Sequence, residues 1–392
     1  MTSSAADKKT ESRAHEIAAR NAFPFLDLKA QFAPIREEVM EAVTRVLESQ
    51  HFILGPEVKL LEDEIAAKLG AKYAIGCASG TDALILALMA SGIGPGDEVV
   101  TTPFSFVATA GAILQVGARP VFVDIDPSTF NIDPTKVASA ITKKTKAIMP
   151  VHLFGLAAEL DPILEIAKAN ELLVVEDAAQ AIGARYKDRF VGTIGDFGCF
   201  SFFPSKNLGA AGDGGLITVN DPAFVEKLQM MRVHGSKQRY FHDIHGINSR
   251  LDALQAAVLR VKLRHLDGWA AGRADRAQRY RQLFDQRGLG KFISYPAAPS
   301  ASFHHVYNQF TIRAQRRDEL KDFLGREEVP SEIYYPLCLH LQKAFSSFGF
   351  RQGQFPVAEQ ASREVLSLPI FPELTDAQQD LVVQGIEKFY KQ

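Results

Sequence analysis

Cysteine is scarce in this sequence. Cys77, Cys199 and Cys338 lie far apart in a chain of 392 residues, and none belongs to a CxxC pair. This spacing argues against a disulfide framework and against a zinc site, and it fits a protein of the reducing cytoplasm. We therefore expect a cytoplasmic protein that binds no metal ion.

Long apolar runs and charge clusters are missing as well. No stretch approaches the roughly 18 consecutive apolar residues that a membrane span requires. The net charge is −2, and lysine and arginine dominate no part of the chain, whereas a nucleic-acid binder usually has a basic face. We expect neither a membrane nor a nucleic acid as a partner, so an anionic ligand must be held by local chemistry.

The chain is long enough for two packed domains. Its first 22 residues are polar and charged and lack the apolar segment of a secretory signal. The sequence predicts a mobile N-terminal tail over 1–22, a large domain over 23–265 and a smaller α+β domain over 266–392.

Helical and β-rich patterns alternate from about residue 50 onward, as in YAIGCAS followed by GTDALILALMASGI. This alternation predicts an α/β fold with a mostly parallel sheet, and ligands gather at the carboxyl ends of the strands in such sheets. Residues from about 250 to 287 have a helical pattern almost throughout, which suits a helix bridging to a second domain.

Lys206 follows an apolar strand and precedes the glycine-rich turn GDGG. Most lysines are surface residues, but a desolvated lysine has a depressed pKa and can act as a nucleophile and base. Asp177 ends the buried-looking strand LLVVED, where it is either a cap or surface acid or a carboxylate facing Lys206. A pyridoxal 5′-phosphate (PLP) site needs such a carboxylate to keep the pyridine nitrogen protonated. Gln180 lies just past the same strand, and Ser201 ends the strand before Lys206.

Three weaker signals accompany this pair. Gly80 and Thr81 open a helix directly after a strand. The free N–H groups at this helix start either form an anion cradle or are simply capped by side chains. Phe106 also follows a strand. It is either a core residue or a ring that stacks on a flat cofactor. Asn248 precedes a long helix, and capping is its simplest interpretation.

In combination, these features resemble the DegT/DnrJ/EryC1/StrS family of PLP-dependent nucleotide-sugar aminotransferases, and within it the 3-amino sugar group. The resemblance runs from FLDLKAQF through LSLPIFPELT, with HFILGPEV, EDAAQAIGA and SFFPSKNLGAAGDGG as specific motifs. It implies the aspartate-aminotransferase fold (PLP fold type I), with a large PLP-binding domain over 23–265.

The resemblance also implies a role for each motif residue that carries chemistry. Lys206 is the Schiff-base lysine, and Asp177 is the partner of the pyridine nitrogen. Gln180 contacts the phenolic oxygen of the cofactor. Asn248 reaches the phosphate of the cofactor in the partner subunit, which implies a homodimer with shared active sites.

The remaining cofactor contacts follow from the same resemblance. Gly80, Thr81 and Ser201 hold the phosphate, and Phe106 stacks on the ring, with Phe104 as a possible substitute. Candidates for sugar contacts share a position near expected strand ends or in the expected cleft. They are Phe25, His152, Arg232, His304, His305, Tyr307, Asn308 and Tyr335.

The implied reaction moves the amino group of glutamate onto a keto-sugar carried on UDP or dTDP, through a pyridoxamine 5′-phosphate form. Its product would serve surface polysaccharide, lipid A or a glycosylated metabolite. Family members that aminate C3 often have Gln at the position of Gln180, so the resemblance favours a 3-keto sugar. One alternative is a PLP-dependent nucleotide-sugar dehydratase, although such relatives carry His in place of Lys206. The other is a non-catalytic regulatory relative. Position 213 is Asp in this sequence where many family members have Glu, and this difference puts little of the resemblance in doubt.

Overall fold

The computed structural model describes residues 23–297, 300 and 302–392. The tail predicted over 1–22 lies outside these residues. Within them, no helix combines the length and the apolar character that crossing a bilayer requires.

The helices of the described residues are α1 (Leu28–Phe32), α2 (Arg36–Ser49), α3 (Pro56–Leu69), α4 (Gly80–Ala90), α5 (Val107–Gln115), α6 (Pro134–Val137), α7 (Leu160–Ala169), α8 (Pro222–Met231), α9 (Ala253–Leu263), α10 (Leu266–Gln286), α11 (Arg317–Arg326), α12 (Pro356–Glu364) and α13 (Asp376–Lys391). The strands are β1 (Tyr73–Cys77), β2 (Glu98–Thr101), β3 (Arg119–Phe122), β4 (Thr145–Ile148), β5 (Leu173–Asp177), β6 (Arg185–Tyr186), β7 (Arg189–Phe190), β8 (Phe197–Ser201), β9 (Gly215–Val219), β10 (Ser236–Gln238), β11 (Phe241–His242), β12 (Ile293–Ser294), β13 (Phe303–His304), β14 (Phe310–Ala314) and β15 (Val365–Leu368).

The local sequence explains where individual helices begin and end. Helix α3 starts with Pro56, which is tolerated in the first turn because no N–H is needed there. It ends at Leu69 and is capped by Gly70, whose φ of 73° is the left-handed conformation that glycine adopts easily. Helix α13 begins with a capping box between Thr375 and Gln378.

A seven-stranded sheet of order β1-β9-β8-β5-β4-β2-β3 forms the centre of the fold. Strand β9 is antiparallel to β1 and to β8, and every other pair is parallel. The predicted mostly parallel sheet is therefore confirmed. Asp177 pairs with Cys199 and Ser201 with Gly215, so the carboxyl ends of β5 and β8 lie side by side.

Large hydrophobic clusters lie in the earlier and in the later part of the chain. Leu61, Ile65 and Leu259 belong to a cluster built largely from α2, α3 and α9. Tyr280 and Phe310 belong to a second cluster beside the antiparallel sheet β12-β14-β15. Strand β13 pairs with β6, which ties the later part of the chain to the earlier part.

The helical stretch predicted from about 250 to 287 is two helices and not one. Helix α9 ends at Leu263 and α10 begins at Leu266. The two helices pack against different partners, because α9 lies on α2 and α3 whereas α10 lies on α13. A single straight helix cannot follow both surfaces, so the chain turns at Arg264 and His265.

Candidate active site

A cavity of about 740 Å³ opens at the carboxyl ends of the central strands. Its wall combines the beginnings of α4 and α5, the ends of β5 and β8, the loop before β9, and a segment from Ile333 to Leu337. Most of the predicted site residues line this one cavity: Gly80, Thr81, Phe106, Asp177, Gln180, Ser201 and Lys206. Asn248 lies elsewhere.

Lys206 lies in the loop that joins β8 to β9. Its backbone N–H donates to the carbonyl of Phe203 at 2.8 Å, which closes a turn and directs the side chain into the cavity. Burial lowers the pKa of Lys206 to about 8, and the negative charge of Asp177 opposes that shift. A substantial fraction of the amine is therefore neutral and nucleophilic near pH 8.

Asp177 ends strand β5 and is only 5% exposed. Its Oδ2 accepts a hydrogen bond of 2.8 Å from Thr109 Oγ1, and its Oδ1 accepts one of 3.2 Å from the Ala179 N–H. Burial raises the pKa of Asp177, while these two hydrogen bonds and the nearby Lys206 oppose the shift. A cationic ring nitrogen beside this carboxylate would favour its ionised form for the same electrostatic reason.

The N-terminus of α4 has the groups expected of an anion cradle. Ser79 Oγ caps the helix by accepting the Asp82 N–H at 3.1 Å, and the Gly80 and Thr81 residues of the first turn line the cavity. A Cβ on Gly80 would lie 2.6 Å from Ser201 Cβ, so glycine allows the Ser201 side chain to approach the helix end. Backbone N–H groups and a hydroxyl at a helix N-terminus suit a phosphate.

Of the two phenylalanines considered, Phe106 is the one on the cavity wall. Its side chain is 54% exposed, whereas Phe104 is fully buried. The Phe104 ring packs against Phe130 at a centroid distance of 6.1 Å. Phe106 is thus accessible to a ligand in the cavity, and Phe104 is not.

Gln180 is buried at the cavity wall, and both ends of its amide are engaged. Its Oε1 accepts the Phe154 N–H at 2.7 Å, and its Nε2 donates to Tyr335 Oη at 3.0 Å. Because a backbone N–H can only donate, this pair of contacts fixes which end of the amide is the NH2 group.

Together these residues match the functional groups of PLP. Lys206 offers an amine that makes no hydrogen bond or ion pair with another side chain of the described residues. Asp177 offers a buried carboxylate, the end of α4 a phosphate site, and Phe106 an accessible aromatic ring. The chemistry of this set fits the cofactor.

A sequence model of the DegT/DnrJ/EryC1/StrS aminotransferase family matches residues 33–387. The chain belongs to this family. It is 52% identical over 368 residues to the pleiotropic regulatory protein of Geobacillus stearothermophilus, covering 94% of this chain and 98% of that one. It is 48% identical over 362 residues to the UDP-N-acetyl-3-dehydro-alpha-D-glucosamine 3-aminotransferase of Acidithiobacillus ferrooxidans, covering 92% and 96%. The crystal structure of DesV from S. venezuelae superposes with a TM-score of 0.91 at 42% identity, covering 95% and 99%.

These comparisons confirm several predictions at once. The fold is that of the DegT/DnrJ/EryC1/StrS aminotransferases, with the mostly parallel sheet of PLP fold type I. The family is PLP-dependent, so the predicted cofactor is confirmed. The protein is an aminotransferase of this family, as its motifs indicated.

Asn248 does not line the cavity of its own chain. It is exposed, and its backbone pairs with Val233. It follows the β10–β11 hairpin, in which Tyr240 is 78% and Phe241 63% exposed. Its contact with the cofactor of a partner subunit stays a prediction for this family member.

His152, one of the candidates for sugar contacts, is a buried structural residue that does not line the cavity. Its side chain is fully buried, and Nδ1 accepts the Ala158 N–H at 3.0 Å. Nε2 therefore carries the proton and donates to Glu176 Oε2 at 2.9 Å. Glu176 points to the opposite face of β5 from Asp177 because successive strand residues alternate. Burial alone would raise the pKa of Glu176, but hydrogen bonds from His152 and from backbone N–H groups hold it below its ordinary value.

Other suggested sugar contacts also lie off the cavity wall. Arg232 is buried in an ion pair with Glu62 at 2.6 Å. His305 is buried and stacks on Tyr307 with a centroid distance of 3.9 Å. Of the eight candidates for sugar contacts, Tyr335 alone lines the cavity. Phe25, His304 and Asn308 are not among the lining residues either.

Sequence reasoning missed several polar residues in and beside the site, among them Ser105, Thr109 and Gln309. The Thr109 hydroxyl donates a hydrogen bond to Asp177. Because its hydrogen is used in that bond, Ser105 is the donor in the 2.8 Å contact between the Ser105 and Thr109 hydroxyls. Ser105 lies two positions before α5 and Thr109 lies in its first turn, so helical spacing gave no signal for this contact. Gln309 also lines the cavity, and its sequence context carried no sign of this either.

Proposed function

We propose that this protein transfers the amino group of glutamate to a keto-sugar carried on UDP or dTDP, with C3 as the carbon that is aminated. The observation that carries the proposal is the pairing of Lys206 and Asp177 in one cavity beside the anion cradle of α4. A relative 48% identical in sequence is named as a 3-aminotransferase of a UDP-linked sugar, which supports both the substrate class and the C3 position.

The residues have separable tasks. Gly80, Thr81 and Ser201 would hold the phosphate of PLP, Phe106 its ring, Asp177 its pyridine nitrogen and Gln180 its phenolic oxygen. When bound, PLP supplies a cationic ring that takes up the electrons released at the amino-acid α-carbon. Lys206 Nζ takes the α-proton of the amino donor and later returns a proton to the sugar carbon, a role for which its pKa of about 8 is suited.

A homodimer with shared sites is part of the proposal. Four apolar residues that line the cavity are solvent-exposed in the single chain: Phe106 at 54%, Val107 at 46%, Phe203 at 53% and Leu337 at 39%. Contiguous exposed apolar residues commonly mark a protein contact. A second copy that covers them would bring its own Asn248 towards the cofactor phosphate.

We also infer that the reaction takes place in the cytoplasm, where nucleotide sugars are made and consumed. The three cysteines are buried and unpaired, which suits a reducing compartment.

Two rival functions give different experimental results. A PLP-dependent dehydratase would not transfer nitrogen, and the presence of Lys206 speaks against it. A regulatory protein without chemistry is suggested by the name of the relative at 52% identity, but such a protein has no need for a Lys206–Asp177 pair.

The deciding experiment uses purified protein loaded with PLP. Glutamate should bleach the visible absorbance band of the cofactor. A panel of UDP- and dTDP-linked 3-keto and 4-keto sugars should then yield an amino sugar, detected by mass spectrometry, with the 3-keto substrates reacting fastest. Absence of the visible band would exclude the catalytic function. Bleaching without amine transfer to any sugar would exclude the substrate class.

A further inference from the structure

A short turn beneath the cavity has an unusual backbone. It comprises residues 153–157, and its Phe154 has a φ of 59° and a ψ of 6°. This left-handed conformation is rare for a bulky residue, and it persists only where the surroundings hold it. The Phe154 N–H points to Gln180 Oε1 at 2.7 Å, so the conformation of this turn sets the direction of that donor.

Asn131 holds the turn through three hydrogen bonds. Its Oδ1 accepts the Leu153 N–H at 2.9 Å, and its Nδ2 donates to the carbonyls of Leu156 at 3.0 Å and Ala157 at 3.1 Å. The side chain is 2% exposed and does not line the cavity. Every hydrogen-bonding group of this amide is therefore used to hold the turn and none is used to bind a ligand.

The orientation of Gln180 has a chemical consequence in the cavity. With Oε1 held by Phe154, the NH2 group donates to Tyr335 Oη at 3.0 Å, and the Tyr335 hydroxyl hydrogen is left for another acceptor. Gln180 and Tyr335 thus present donors to the cavity. If the amide rotated, its oxygen would take the Tyr335 hydroxyl hydrogen and the donors would be lost.

We propose that Asn131 is a positioning residue of this aminotransferase, which acts through the 153–157 turn to keep the Gln180 amide in its donor orientation. The inference rests on the proposed function, because it assigns the effect to an anionic oxygen of the bound cofactor. Donors near that oxygen favour its deprotonated form, so their loss raises the pH at which the bound cofactor titrates.

The test is a pH titration of the visible absorbance of bound PLP, which requires no turnover. Gln180→Ala should move the midpoint to higher pH by about one unit, the value of one buried hydrogen bond. Asn131→Ala should move it in the same direction, and the double variant should match Gln180→Ala alone, since residues in one network are not additive.

Asn220→Ala is the matched control. Asn220 also bridges backbone groups, accepting the Lys72 N–H at 2.9 Å and donating to the Thr193 carbonyl at 3.3 Å, but it lies off the cavity. Its loss should leave the midpoint unchanged. If Asn131→Ala does not fold, Asn131→Asp retains the acceptor for Leu153 and should still raise the midpoint.

The possible outcomes separate the two proposals. A wild-type protein without the PLP band overturns the proposed function and this inference together. A wild-type band with an unaltered midpoint in folded Asn131→Ala, or in Asn131→Asp where only that variant folds, overturns the inference alone. Additive shifts in the double variant also overturn it, because they would show that Asn131 does not act through Gln180.

Discussion

Thr109 Oγ1 donates a hydrogen bond of 2.8 Å to Asp177 Oδ2, joining helix α5 to the end of strand β5 across 68 positions of sequence. Ser105 in turn donates a hydrogen bond to Thr109, so the three side chains form a continuous hydrogen-bonded series. The contact orients the Asp177 carboxylate and lowers its pKa against the effect of burial. Thr109, which does not line the cavity, therefore tunes the carboxylate of Asp177, which does.

Thr109→Val should weaken catalysis by about tenfold in kcat, since one buried hydrogen bond to a charged group is lost. Asp177 then ionises at higher pH, so the acidic limb of the pH–rate profile should move upward. Thr218→Val is the control, because Thr218 is equally buried but bonds to Gly192 away from the cavity. Equal effects of the two variants on the profile would refute the tuning role.

Lys206→Ala should lower amine transfer by about a thousandfold or more, because the general base is removed. Lys206→Arg should be comparably inactive, since a guanidinium keeps the charge but does not lose its proton. Transfer from glutamate measured by mass spectrometry decides the point. Near wild-type turnover by either variant would contradict the assigned mechanism.

The pKa of Lys206 predicts how cofactor uptake depends on pH. Only the neutral amine attacks an aldehyde, so the rate at which cofactor-free protein incorporates PLP should rise with pH and level off above about 8. Asp177→Asn removes the charge that raises this pKa, and the midpoint should shift to lower pH. Stopped-flow absorbance follows both reactions; a pH-independent rate would argue against the shifted pKa.

Gly80→Ala should reduce affinity for PLP, because the added Cβ would lie 2.6 Å from Ser201 Cβ and push the cradle apart. Gly268→Ala provides the comparison, since a Cβ there meets no atom within 4 Å in α10. That change should be neutral or stabilising by about 0.4–1 kcal/mol. Equilibrium dialysis measures the affinities and thermal unfolding the stabilities; unchanged PLP affinity in Gly80→Ala would exclude the cradle.

Subunit complementation tests the role of Asn248. Lys206→Ala and Asn248→Ala proteins should each be impaired alone. Mixed after dissociation, they should recover about a quarter of wild-type turnover, because half of the randomly paired dimers are mixed and each has one intact site. Without recovery, or with a monomeric mass in light scattering, the shared-site arrangement would be wrong.

Local patterns in the sequence predicted much of this protein. The alternation of helical and β-rich segments predicted the mostly parallel sheet, since hydrophobic periodicity is a property of neighbouring residues. The motifs around Lys206 and Asp177 indicated the family and its cofactor. These conclusions needed only residue type and spacing, which the chain carries without being folded.

Other features depended on which distant atoms meet. His152 and Arg232 resembled ligand contacts in the sequence, but both are buried with carboxylate partners, Glu176 and Glu62. Neither partner can be identified from spacing, because strand order and register decide which side chains face one another.

The sequence by itself determined the fold class and the family, and it singled out Lys206 and Asp177 as the main candidate residues of the site. Only the tertiary structure decided that Phe106 and not Phe104 faces the cavity, and that the Gln180 amide has one orientation. The physical reason is that hydrogen bonds and burial are properties of packed surfaces. They join residues that lie tens or hundreds of positions apart, beyond the reach of any local pattern.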